Sequence, residues 1–254
     1  SAVAGMLLVV AVARIGFRHG GWAAGLLAGL LLITGQQVLY EHALRAAALE
    51  APLVLLTFGA LVWGLRAADG WRFAIGAGVC LGAAALLKPP VALLPALAVI
   101  VFLAVTDRRA LAFRGCAAAG VALAVAAPWH LHQLLAHGTA FWDTYVVYEF
   151  LGRAGSTATA RSPDLLVHLE ALWANFHLWC LPIAGALIWA FARRRAERVA
   201  LAAYAVGFLV LLCVVPAKWP WYGLPVYPVL AVLTAAGAVR LARHRPRLAV
   251  AAAG

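Results

Sequence analysis

Five clusters of basic residues divide this chain, and between consecutive clusters lie two apolar runs with one break between them. The clusters are Arg14/Arg18, Arg66/Arg72, Arg108/Arg109/Arg114, Arg193/Arg194/Arg195/Arg198 and Arg240/Arg243/Arg245/Arg247. A helix needs about 20 apolar residues to cross a bilayer core, with a lower limit near 17. Basic loops stay on the cytoplasmic side. With every cluster inside, 15 of the 20 Lys and Arg are cytoplasmic, and only Arg45, Lys88, Arg153, Arg161 and Lys218 face outside. The same arrangement puts six of nine carboxylates outside (Glu41, Glu50, Asp143, Glu149, Asp164, Glu170), with six of eight histidines. The inner face is plain basic loop, so the chemistry is sought on the outer face.

Composition agrees. The chain is 66% hydrophobic and 11% charged, with mean hydropathy +0.95, more apolar surface than a soluble domain of this size can hide. A net charge of +11 would suggest nucleic acid in a soluble protein. Spread over short inner loops it reflects membrane topology instead, so the expected surroundings are membrane lipids and no nucleic acid. Cys80, Cys116, Cys180 and Cys213 all lie in apolar runs, widely spaced, and read as packing residues. Ser1 falls in an apolar run already under way, so the natural protein is expected to continue upstream.

The candidate spans are 1–13, 21–35, 51–65, 73–87, 91–106, 112–129, 172–192, 199–216 and 223–239. The expectation is an all-α, polytopic membrane helix bundle, a single domain over 1–254 with about nine spans. Several runs are short; 73–87 would reach roughly 22 Å at 1.5 Å per residue and must pack inside a bundle or thin the bilayer. Gly76, Gly78 and Gly82 suit close helix packing. On the outer side, 36–50 is expected as a short interfacial helix, Lys88-Pro89-Pro90 as a tight turn, 130–171 as a long loop and 217–222 as an aromatic turn. No internal repeat is visible, which weighs against a transporter.

Four outer features can carry chemistry, and each has a plain structural alternative. Glu50 stands at a helix start with Pro52 near the first turn, where an acid is also favoured as a cap. Lys88, in Leu87-Lys88-Pro89-Pro90, is a lone outer cation that can simply snorkel. Glu149 and Arg153, at i,i+4 spacing, can pair with each other on a helix. They follow an aromatic stretch, Trp129, Phe141, Trp142 and Tyr145, that suits interfacial anchoring or sugar stacking. Lys218, Trp219, Trp221 and Tyr222, among Pro220, Pro225 and Pro228, read as an aromatic belt or as a site. His130, His132 and His137 match no standard zinc spacing. No phosphate-binding glycine loop, nucleotide fingerprint or nucleophile elbow is present. No cofactor is expected, and a divalent metal is left open.

Taken in order, these features resemble the membrane part of the polyprenyl-phosphate-sugar-dependent glycosyltransferases, which include the aminoarabinose lipid A transferases and the protein mannosyltransferases. Residues 45–56 are similar to that family's Arg…Leu-Asp-x-Pro-Leu segment, and Ala85 to Pro95 to its Leu-x-Lys-Gly-Pro…Pro segment. Ala127 to Arg153 resembles its Pro-Trp…Phe…Glu-x-x-x-Arg loop. Lys218 to Leu233 resembles its Lys-x-x-x-Tyr-x-Leu-Pro-x-x-Pro-x-Leu-Ala segment. Each motif is weak alone; four in order at matching topology are more specific, and together they cover most of the chain.

The resemblance implies a GT-C type transferase of the bacterial inner membrane, moving a sugar from a polyprenyl phosphate to a lipid or protein acceptor on the periplasmic face. It implies Lys88, Arg153 and Lys218 as holders of phosphate, converging on one outer cavity. Glu149 joins the substrate-binding set, and Tyr222 meets the sugar or the lipid phosphate. Glu50 is implied as an auxiliary acid, since the family's principal acid lies in a first outer loop expected upstream of Ser1. The chain departs from the pattern where Glu50 replaces Asp and Pro90 stands in the Lys-Gly-Pro turn. The rival readings are a lipid-linked sugar flippase or transporter, and a non-catalytic membrane scaffold. The first would need a polar path through spans that carry almost no charge.

Overall fold

The computed structural model describes residues 1–35, 49–152, 165–192, 195–216 and 218–244, and among these only helices and turns occur. The helices are α1 (Ala2–Gly20), α2 (Trp22–Ile33), α3 (Glu50–Gly64), α4 (Trp71–Leu87), α5 (Pro89–Thr106), α6 (Cys116–Phe141), α7 (Val167–Phe176), α8 (Cys180–Ala192), α9 (Ala196–Val214) and α10 (Tyr227–His244). Each expected run falls on a helix; 172–192 covers two, because His177 takes φ 46° and turns the chain between α7 and α8. In hydrocarbon the backbone has no water to bond, so a long apolar run closes its own hydrogen bonds as helix. Among the described residues, six stretches are long and apolar enough to cross a membrane, while α2, α3 and α4 are shorter apolar helices. Nine is therefore an approximate count.

Local chemistry sets the boundaries. Gly20 and Gly21 end α1, and Gly21 turns into α2 at φ 83°. Pro89 and Pro90 open α5, where a missing N–H costs nothing. The Asp107 carboxylate accepts from the Ala110 N–H at 2.9 Å, capping the turn that leads into α6. Val215 is extended before Pro216, as a residue preceding proline prefers, and ends α9.

The centre of the bundle is α10, whose Val229 to Leu233 stretch is almost wholly buried. It packs against α1, α2, α8 and α9. Two helix pairs approach closely through small residues. In the α1–α2 pair, a Cβ on Gly16 would stand 2.7 Å from the Ala24 carbonyl oxygen. In the α4–α6 pair, one on Gly78 or Gly82 would stand 2.5 or 2.6 Å from the Ala118 or Ala122 carbonyl oxygen. Lipid tails are as apolar as leucine, so association rests on such van der Waals contact. The basic turns also touch one another: Arg18 lies 3.5 Å from Glu197, Arg243 donates to the Gly20 carbonyl at 3.0 Å, and Arg114 donates to the Ala67 carbonyl at 3.3 Å.

One expectation differs from the structure. Residues 130–152 were expected as loop, yet α6 continues through Pro128 to Phe141, and a wide π-type turn follows over Trp142–Gly152. The alanine-rich sequence 117–127 favours helix strongly enough to carry through Pro128. The bend comes ten residues later at Gly138, with φ 52° and ψ −128°, a conformation suited to glycine. Up to that bend, residues 116–137 make a helix of about 33 Å, enough to cross a bilayer core of about 30 Å. The expected interfacial helix at 36–50 lies, apart from its last two residues, outside the described residues.

Candidate active site

A cavity of about 460 Å³ opens where the start of α3, the α4–α5 turn, the end of α9 and the segment before α10 meet. Its walls are mostly apolar, and Glu50, Lys88, Tyr145 and Tyr222 supply the polar groups.

Lys88 is placed by its neighbours. A residue before proline is pushed to extended backbone, and Lys88 has φ −160° and ψ 86°. Its N–H still closes α4 on the Ala84 carbonyl at 2.8 Å, while its carbonyl accepts from the Val91 N–H at 3.1 Å. Lys88 thus joins two helices, and its Nζ stands 4.1 Å from the Tyr222 ring centroid. Such a cation–π contact is worth about 0.5–1 kcal/mol when exposed, rising as water is excluded. Tyr222 is held in turn by a tight helical segment, Pro220–Val226, with Trp219 and Trp221 stacked at 4.8 Å.

Glu50 is the first residue of α3 and lines the cavity. The N-cap position belongs to Leu49, and no side-chain cap bond is made there. A carboxylate there is favoured by the helix dipole, and Glu50 lines the cavity.

Of the three cations expected to converge, Lys88 lines this cavity. Lys218 does not line the cavity: it is 3% exposed and close enough to His168 for the two to interact electrostatically. His168 is 2% exposed, and its ring nitrogens have no hydrogen-bond partner among the described residues. The physical reason is the extended residue Trp219, with φ −124° and ψ 133°, which separates Lys218 from the turn that presents Trp221 and Tyr222. Arg153 lies outside the described residues. Glu149 falls within the wide turn Trp142–Gly152, and its side chain is outside the described ones. Among the described residues no three His, Cys, Asp or Glu gather closely enough to hold a metal ion.

The sequence offered Tyr145 only as one of several aromatics for anchoring or sugar stacking, and His130 only as a histidine without zinc spacing. Tyr145 lines the cavity, and its hydroxyl meets His130 Nε2 at 2.9 Å. The one available signal was His137-Gly138, a glycine after a long helical run, which reverses the chain and lets position 145 return to 130. A second cleft, about 480 Å³, runs between α5 and α9. It shares Leu94, Phe208 and Leu211 with the first cavity and reaches Thr106 and Ala196 at the far end of both helices.

No protein-family model matches this chain, and no curated protein sequence matches it. Solved structures do resemble it. The crystal structure of ArnT from Cupriavidus metallidurans bound to undecaprenyl phosphate superposes with TM-score 0.78 at 21% identity, over 99% of this chain and 48% of that one. The same protein in the apo state gives TM-score 0.77 at 20% identity, over 93% of this chain and 44% of that one. The chain thus spans about half the length of the structures it matches. It is an integral membrane helix bundle with an ArnT-like fold.

Proposed function

We propose that this chain is the membrane part of a glycosyltransferase that takes a sugar from a polyprenyl phosphate and passes it to a lipid or protein acceptor at the periplasmic face. The observation that carries the reading is the meeting of Lys88, Tyr222 and Glu50 in one cavity, within a fold whose ArnT counterpart binds undecaprenyl phosphate. In the reaction, the acceptor hydroxyl loses its proton to a carboxylate and its oxygen bonds to the anomeric carbon. The carbon–oxygen bond to phosphate breaks, and the polyprenyl phosphate leaves with the electron pair. Negative charge grows on that phosphate, so a fixed ammonium beside it favours the transition state over the ground state.

Lys88 holds the phosphate, with Tyr222 steering the lysine from below. Glu50 orients the acceptor as an auxiliary acid. Arg153 and Glu149 complete the substrate set by the motif resemblance. Lys218, buried beside His168, anchors the aromatic turn that carries Tyr222. The apolar cleft between α5 and α9 gives the isoprenoid tail a path within the bilayer, while the sugar remains at the cavity.

The test is binding of undecaprenyl phosphate to the purified chain in lipid nanodiscs. Hydrogen bonds to charged groups are worth about 1.5–3 kcal/mol, so Lys88→Met should weaken binding about 10- to 100-fold. A Kd equal to wild type would leave Lys88 as a snorkelling lysine and remove the main support for this reading.

A further inference from the structure

Tyr145 in the cavity wall pairs its hydroxyl with the imidazole of His130, a contact that none of the motifs pointed to. His130 Nδ1 stands 2.8 Å from the Ala126 carbonyl oxygen, and His130 Nε2 stands 2.9 Å from the Tyr145 hydroxyl. A carbonyl oxygen only accepts, so Nδ1 must carry the proton. In the neutral imidazole Nε2 is then the acceptor, and the Tyr145 O–H must donate to it. With its proton committed, the phenolic oxygen has only lone pairs left to offer.

The ring carrying that oxygen is clamped. Phe141 stacks on Tyr145 at 4.9 Å with planes 17° apart, and Trp129 meets it edge-on at 5.8 Å. Gly138 makes the clamp possible by folding the π-type turn back onto α6. Tyr145 also lines the cavity that holds Lys88, Tyr222 and Glu50.

We propose that Tyr145 is a sugar-reading residue, accepting a hydrogen bond from a hydroxyl of the donor's sugar, and that His130 is the positioning residue that makes it an obligate acceptor. The inference rests on the polyprenyl-phosphate-sugar reading and names the part of the cavity that meets the sugar. Lys88 serves the phosphate, which every polyprenyl phosphate shares. Tyr145 serves a donor group that only the glycosylated lipid carries. The pair therefore separates the loaded carrier from the spent one and favours release after transfer.

The experiment measures binding of two probes, undecaprenyl phosphate and undecaprenyl phosphate bearing a pentose, to the full chain in nanodiscs. Tyr145→Phe removes the oxygen and keeps the stacked ring. It should weaken binding of the pentose-bearing lipid about three- to tenfold, the range of one hydrogen bond, and leave undecaprenyl phosphate unchanged. His130→Phe should give a similar selective loss. His130→Gln, whose amide oxygen reaches the place of Nε2, should restore most of the affinity. Unchanged binding of the pentose-bearing lipid by Tyr145→Phe would overturn the proposal, as would equal losses for both probes, the mark of a structural role. Selective loss in Tyr145→Phe without any in His130→Phe would overturn the positioning role. Wild-type protein that binds neither lipid would refute the donor reading and this inference with it.

Discussion

The α4–α6 contact makes a quantitative demand that a single methyl group can test. A Cβ added at Gly82 would stand 2.6 Å from the Ala122 carbonyl oxygen and 2.7 Å from the Val125 Cβ. Ordinary contact begins near 3.4 Å, so α6 must retreat by about 0.8 Å or strain must build. The obstacle is backbone, and no rotamer change relieves it. Overpacking of this kind costs about 1–3 kcal/mol, against a gain of about 1 kcal/mol from replacing glycine in a helix. Gly82→Ala should therefore be destabilising by roughly 0–2 kcal/mol after the two effects are combined. Gly120, on α6 itself, has nothing within 4 Å of its added Cβ, and Gly120→Ala should keep the full propensity gain of about 1 kcal/mol. At about 2–4 °C per kcal/mol for a chain this size, Gly120→Ala should raise the Tm in detergent above wild type, while Gly82→Ala should leave it at or below. Both glycines are substituted by the same residue, so detergent effects cancel in the comparison. Activity should follow for Gly82→Ala, because α6 carries His130 and α4 ends at Lys88. A Gly82→Ala variant stabilised as much as Gly120→Ala would show that the helices are not in the contact described.

Glu50→Gln separates a dipole contribution from a role in the cavity. Loss of the charge at the α3 start should cost about 0.3–1 kcal/mol of stability, whereas loss of acid function should cut transfer by about 10²-fold or more; full activity in folded Glu50→Gln protein would return the residue to helix stabilisation. Cysteines placed singly at Arg108 and His137, in a background lacking the native four, should be reached by an impermeant thiol reagent from opposite sides of the membrane, position 137 in intact cells and position 108 only after lysis. Labelling of both from outside would refute the charge-derived orientation.

How much of this was legible before folding differs from element to element. The helices were, because each depends on a local run of apolar residues closing its own backbone bonds. The extension of α6 was not: a proline and three histidines suggested an end near residue 129, while the helix persists until Gly138 allows a positive φ. Lys88 was legible as a candidate, since Lys-Pro-Pro forces an extended residue between two helices. Its partner was not, because Tyr222 lies 134 positions away and meets it only through the packing of α3, α5 and α9. The place of Lys218 was not legible either: the motif grouped it with Tyr222, and the extended Trp219 puts it beside His168, away from the cavity lining.

The sequence by itself therefore determined what one-dimensional quantities can: an all-helical membrane bundle, the ends of its helices carrying basic charge, and a short roster of outer polar residues. Hydropathy and charge act on each segment independently, whatever its neighbours. Tertiary structure decided which of those residues share a cavity, that Glu50 at the start of α3 lines it beside Lys88, and that the Tyr145 hydroxyl meets His130. Those outcomes depend on contacts of a few ångströms between segments far apart in the chain, set by where glycine and alanine let helices approach, and no local pattern encodes such distances.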